Sequence, residues 1–145
     1  MTRSPKKAGG RGRRDVKFPG RGVVRTCLEI VPIAYVKRSR GRAMRSAFSP
    51  AAAATLSQAS PQTVAGLIAA KKAAAAIVVS LCGGRVPLRD INLAHAAGGA
   101  PRPGGLPRGA RVAVAVWRDI RISISHTATH AFGCAAVFTE EVPHA

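Results

Sequence analysis

Between Val23 and Val36 the chain reads VVRTCLEIVPIAYV, an apolar run rich in β-branched residues that predicts a strand. Pro32 has no amide to donate to a ladder, so the strand should end there or lie at a sheet edge. Ser49-Pro50 and Ser60-Pro61 each place a hydroxyl N-cap before a proline suited to the first helical position. The second pair opens QTVAGLIAAKKAAAAIVVSL, where Leu67, Ala70, Ala74 and Ile77 recur on one helical face until Gly83-Gly84 supplies a stop. Val86 to Leu93 is the next strand candidate, followed by a Gly/Pro loop from Gly98 to Gly109. Arg111–Val116 and Arg121–Ser125 alternate, and Ala131–Phe138 is a further apolar strand. The last two segments should pair as a hairpin around His126–His130. Helices between strands in the first half, and strands clustered in the second, predict an α+β fold.

Composition changes the picture mainly at the N-terminus. The 145 residues suit one domain, with 23 Lys plus Arg against 6 Asp plus Glu and a net charge of +17. Of that excess, +8 falls within residues 1–25. Residues 1–22 show no apolar periodicity and are expected to form a disordered basic arm, leaving 23–145 as the folded domain. Such an arm suits nucleic-acid phosphates or another anionic surface. Hydrophobic residues make up 47% and aromatics only 4%, so the core must be built from Ala, Val, Ile and Leu.

No membrane span is expected. Ala47–Ala70 contains Pro50 and Pro61, and Ala73–Gly84 is about half of a roughly 20-residue spanning helix. The basic start lacks the apolar core of a secretory signal, and Cys27, Cys82 and Cys134 form no CxxC or zinc spacing. Reduced thiols and a cytoplasmic location follow as the expectation.

Local chemistry is sparse. Lys37, Arg38, Arg40, Arg42 and Arg45 fall within nine residues and suit a short basic helix, interrupted by Gly41. His126 and His130 enclose no general-base Glu, so a zinc-protease reading fails, and no GxxxxGK[ST] loop is present. The sixty residues between Glu29 and Asp90 contain no acid at all, which leaves few partners for a nucleophilic serine.

Four segments in order resemble holo-acyl-carrier-protein synthase, the small bacterial type of 4′-phosphopantetheinyl transferase. CLEIVPIAYV (27–36) is similar to the family's opening GxDIVEIxRV strand, and GLIAAKKAAAAI (66–77) to its xRFAAKEAxxKA helix. LRDINLAHAAGGAP (88–101) resembles its DIEI…GxP strand and turn, and RISISHTATHAFGCAAVFTE (121–140) its closing VSISH hairpin. The resemblance covers roughly residues 23–141. It implies an antiparallel sheet packed with a central helix, and transfer of the phosphopantetheine arm of coenzyme A to a carrier-protein serine. It further implies Mg²⁺ at two carboxylates, an acyl carrier protein docked on Lys37, Arg38, Arg40, Arg42 and Arg45, and a homotrimer. By the same resemblance Glu29 is the first metal carboxylate, Lys71 and Lys72 stand at the reacting phosphates, and Ser125 and His126 lie beside coenzyme A.

The pattern also departs from the family. Lys72 replaces the second carboxylate, Ala76 replaces a phosphate-side Lys, and Leu67 replaces a phosphate-binding Arg. An ammonium repels the cation that a carboxylate would hold. Three readings therefore stand: a transferase with an altered site, a catalytically inactive carrier-binding scaffold, and a basic nucleic-acid-binding protein acting through residues 1–22.

Overall fold

A computed structural model of the chain describes residues 22–95, 99–107 and 114–139. The basic arm and positions 111–113 lie outside the described residues. Strand β1 (Gly22–Pro32) leads into helices α1 (Ile33–Arg38), α2 (Arg40–Ala47), α3 (Pro50–Thr55) and α4 (Pro61–Cys82). A 3₁₀ turn (Leu88–Asp90) precedes the short strands β2 (Leu93–His95) and β3 (Pro101–Pro103), helix α5 (Val114–Asp119), and strands β4 (Ile120–His126) and β5 (His130–Thr139). β1, β5 and β4 form an antiparallel sheet in that order, and β2 pairs with β3. The α+β architecture, with one long helix against an antiparallel sheet, is the one expected.

Both predicted helix starts form by the local chemistry that predicted them. The Ser49 and Ser60 hydroxyls accept hydrogen bonds from the amides of Ala52 and Thr63, at 3.2 and 3.1 Å. Gly83, at φ 74°, closes α4 in a conformation that β-carbon-bearing residues avoid. The predicted hairpin also forms, with Ile124 opposite Gly133 and His126 opposite Ala131.

Three segments differ from expectation. The strand ends at Pro32, and Ile33–Val36 turn helical. Ile33 and Val36 are both buried, which requires the helical i, i+3 spacing rather than strand alternation. Within Val86–Leu93 the chain makes a 3₁₀ turn and only Leu93 enters a strand, because fully buried Ile91 anchors it in the core. Residues 114–116 belong to helix α5 rather than to an alternating strand. There Trp117 and Ile120 are both buried, and the Trp117 indole N–H donates to the Gly104 carbonyl at 3.0 Å.

Helix α4 is the centre of the molecule. Its first half packs with Val31, Ile33, Val36 and the α2 residues Ala43, Met44 and Ala47. Its second half packs with Ile91, Trp117, Ile120, Ala135 and Val137. A fully buried Ile77 or Val64 contributes about 1.5–3 kcal/mol relative to exposure. By length and hydropathy the stretch Pro61–Leu81 is long and apolar enough to cross a membrane, but 72% of an 18-residue apolar segment within it is buried inside the protein. It is the core helix.

Small residues let this helix lie directly on the sheet. A β-carbon on Gly66 would sit 2.7 Å from the Ile124 Cγ2, and one on Gly133 would run into the backbone of Ala69 and Ala70. Gly66 thus meets β4, and about one turn later Ala69–Ala70 meet β5. The helix crosses roughly one strand per turn, its 5.4 Å pitch matching the ~4.8 Å strand spacing.

Candidate functional site

The same crossing locates Glu29. It pairs across the ladder with Gly133, which pairs in turn with Ile124, so the three share the sheet face that meets α4. Helix α4 also packs against β1. Glu29 is half-buried, and the Cys27 thiol donates to its Oε2 at 3.7 Å. Burial, then the charge and hydrogen bond of Glu29, and last Cys134 push the Cys27 thiol pKa up from its ordinary value. Lys72 is exposed, and no ion pair joins it to Glu29 among the described residues.

Lys71 takes the opposite direction. It is 4% exposed, its Nζ donates to the Ala47 carbonyl at 2.6 Å, and it lies 4.3 Å over the Phe48 ring. Desolvation lowers its pKa from 10.5 to about 8, partly opposed by Asp90. The ammonium joins α4 to the C-terminal end of α2, where the helix carries partial negative charge. Positions 64, 68, 71, 75 and 78 are all buried at helical spacing, so periodicity alone could have assigned Lys71 to the packed face.

Four of the five basic residues on α1 and α2 form an exposed surface: Lys37, Arg38, Arg42 and Arg45. Arg40 does not join them. Its guanidinium donates to the carbonyls of Leu56, Ser57 and Ala59 at 3.1, 3.3 and 2.7 Å, holding the end of α3 and the link to α4. Nothing in the sequence signals that role, since the three acceptors are backbone atoms sixteen to nineteen residues away.

A groove of about 510 Å³ opens beside β4. Leu56, Gln62, Thr63 and Leu67 form one wall, Gly99–Pro101 a second, and Ile122, Ser123, Ile124 and His126 the third. It joins three of the segments that carry the resemblance, and of the predicted site residues it includes His126. Ser125, Lys71, Lys72 and Glu29 are not part of its walls. Gln62 and Thr63 carry no signal in the sequence that marks them for this groove. The His126 Nδ1 lies 3.1 Å from the Thr127 carbonyl; in the tautomer that donates there, Nε2 is left as an acceptor.

The residues present do not fit a divalent cation. Mg²⁺ demands several hard oxygen ligands, usually with more than one carboxylate. Among the described residues no three His, Cys, Asp or Glu converge, and the Glu29 carboxylate accepts from the Cys27 thiol.

Neither a protein-family model nor a curated protein sequence matches the chain. Solved structures do. Helicobacter pylori holo-[acyl-carrier-protein] synthase in complex with coenzyme A is similar at a TM-score of 0.56 and 22% identity, over 78% of this chain and 99% of that one. A Bacillus anthracis holo-(acyl-carrier-protein) synthase, in complex with CoA (3′,5′-ADP), gives 0.59 and 16% over 81% and 97%. Mycobacterium tuberculosis acyl carrier protein synthase gives 0.52 and 21% over 84% and 100%. The chain has the fold of the holo-acyl-carrier-protein synthases, spanning nearly the full length of each.

Proposed function

We propose that this protein is a holo-acyl-carrier-protein synthase-like 4′-phosphopantetheinyl transferase. It would engage an acyl carrier protein and act on coenzyme A. The observation that carries this reading is the full-length fold match to three such synthases, two of them bound to coenzyme A or its 3′,5′-ADP portion. Lys37, Arg38, Arg42 and Arg45 supply an exposed basic surface for an acidic carrier, fixing orientation and speeding encounter. His126 lines the groove beside β4 and can hold a hydrogen bond to coenzyme A. The exposed ammonium of Lys72 is the group available to offset charge on the diphosphate as it leaves. No step is assigned to a metal ion.

The outer face of the sheet supports the homotrimer. Leu28 and Ile30 are 59% and 50% exposed, and Phe132 and Cys134 stand opposite them on β5. An apolar strip of this kind suits contact with a second copy. Free Cys27 and Cys134 are in keeping with a reducing, cytoplasmic setting.

A specific observation favours a second reading. Among the described residues no carboxylate joins Glu29 to hold a cation, which is what a carrier-binding scaffold without catalysis would show. Incubation with coenzyme A, Mg²⁺ and apo-carrier separates the two. A carrier mass increase by one phosphopantetheine supports the transferase. Salt-sensitive carrier binding without that increase, beside an active synthase control, supports the scaffold. Absence of both sinks the two together. The nucleic-acid reading rests on residues 1–22, and salt-sensitive RNA or DNA binding lost on deleting them would revive it.

A further inference from the structure

We propose that Arg40 is a positioning residue: it fixes the Leu56 wall of the groove beside β4 for coenzyme A, and takes no part in holding the carrier. The inference rests on the functional reading above and adds to it a residue that lies outside the groove.

The basic run divides by exposure. Lys37, Arg38, Arg42 and Arg45 are exposed, whereas Arg40 is half-buried. Its Nη2 donates to the carbonyls of Leu56, Ser57 and Ala59 at 3.1, 3.3 and 2.7 Å. Arg40 opens α2, whose Ala43, Met44 and Ala47 are buried in the core, so the guanidinium projects from a firmly seated helix. The segment it holds is seated differently. Helix α3 has no buried residue, and in the link that follows Ser57 and Gln58 are exposed. Ala52, Ala53, Leu56 and Ala59 touch the core and are partly buried. A stretch with so little buried apolar surface opens locally at small cost in free energy.

That same stretch builds one side of the groove. Leu56 lies in its wall, and Gln62 and Thr63 follow just beyond the Ser60 cap. Arg40 itself is not part of the wall. The end of a helix leaves backbone carbonyls without intrahelical partners. A guanidinium suits them, since it presents its donors in a rigid fork and stays charged at any working pH. Hydrogen bonds from a charged donor are roughly twice as strong as neutral ones. Arg40 thereby carries the rigidity of α2 across to the wall. Without it, Leu56 and its neighbours become ordered only as ligand binds, and that ordering lowers affinity.

The test is calorimetric titration of the full chain with coenzyme A and, separately, with apo-carrier protein. Arg40→Ala should weaken coenzyme A about tenfold and leave carrier affinity within about twofold. Arg42→Ala should do the opposite, weakening the carrier and sparing coenzyme A. Arg40→Lys keeps the charge but not the fork, and should fall between, at about threefold for coenzyme A. Leu56→Ala should weaken coenzyme A with no change in charge. Amide hydrogen exchange over residues 56–63 should quicken in Arg40→Ala while α2 keeps its protection. In a transfer assay the loss should appear in KM for coenzyme A and not in kcat. A residue that merely stabilises the fold would lower the melting temperature and leave that KM alone. Unchanged coenzyme A affinity in Arg40→Ala overturns the proposal, as does a loss of carrier affinity matching that of Arg42→Ala. Should Arg40→Ala fail to fold, Arg40→Lys decides, and coenzyme A affinity equal to that of the unaltered chain overturns the proposal. Absence of coenzyme A binding by the unaltered chain sinks the functional reading as well, whereas binding that Arg40 does not influence sinks this inference alone.

Discussion

Replacing Lys71 by Met tests the central packing argument, because it removes one buried charge while nearly preserving volume. The unfolded chain holds the Lys71 proton up to its ordinary pKa of 10.5, whereas the folded protein releases it near 8. Between those values the unfolded state binds more protons, so stability rises with pH. The cost of charging Lys71 is present in full below pH 8 and is relieved as pH approaches 10.5. The full shift corresponds to about 3 kcal/mol at ~1.4 kcal/mol per pKa unit. Partial solvent screening, and the residue of the titration above pH 10, reduce the expected change between pH 7 and 10 to about 2 kcal/mol.

Lys71→Met abolishes this slope and also removes the donor to the Ala47 carbonyl, a loss of about 1–3 kcal/mol. At pH 7 the two effects offset one another, so the slope rather than the absolute stability is diagnostic. Urea unfolding at pH 7, 8, 9 and 10 measures it. The raised Cys27 pKa acts with the opposite sign: the unfolded thiol ionises first, and stability is lost as pH rises past the unfolded value of 9.0. That contribution is common to both proteins and cancels in their difference. The stability of the unaltered chain relative to Lys71→Met should climb by about 2 kcal/mol from pH 7 to 10. A constant difference would refute the assignment of Lys71 as a desolvated cation.

Gly133→Ala should destabilise by about 3 kcal/mol or prevent folding, since its β-carbon meets the α4 backbone, while Gly105→Ala, with open space around it, stays within about 0.5 kcal/mol; thermal melts decide. Arg42→Glu with Arg45→Glu should weaken acyl carrier protein binding about tenfold or more at low salt and leave the melting temperature unchanged. Arg40→Ala should do the reverse, lowering stability by about 1–3 kcal/mol through three lost carbonyl bonds. Leu28→Glu with Ile30→Glu, on the outer sheet face, should convert an oligomer to monomer in sedimentation velocity without lowering the helix content.

Features set by neighbouring residues were legible in the sequence. Ser49-Pro50 and Ser60-Pro61 start helices because hydroxyl and amide lie three residues apart. Gly83 stops one, and alternation in Arg121–Ser125 gives a strand. The chain also states its chemical departures openly, with Lys72 where a carboxylate is expected and sixty residues free of acid.

What tertiary structure decided are the places where distant atoms compete for one segment. Residues 114–116 alternate, yet they are helical in a segment that buries Trp117 and Ile120 and ties the indole to Gly104. Lys71 and Lys72 are adjacent and chemically identical, but a helix turns by about 100° per residue. One is therefore sealed against α2 while the other meets solvent. Arg40 and Arg42 part in the same way, one bonded to three backbone carbonyls and the other exposed on the basic surface. The sequence alone determined which charges this protein owns; only the packing of α4 decided which of them a partner can reach.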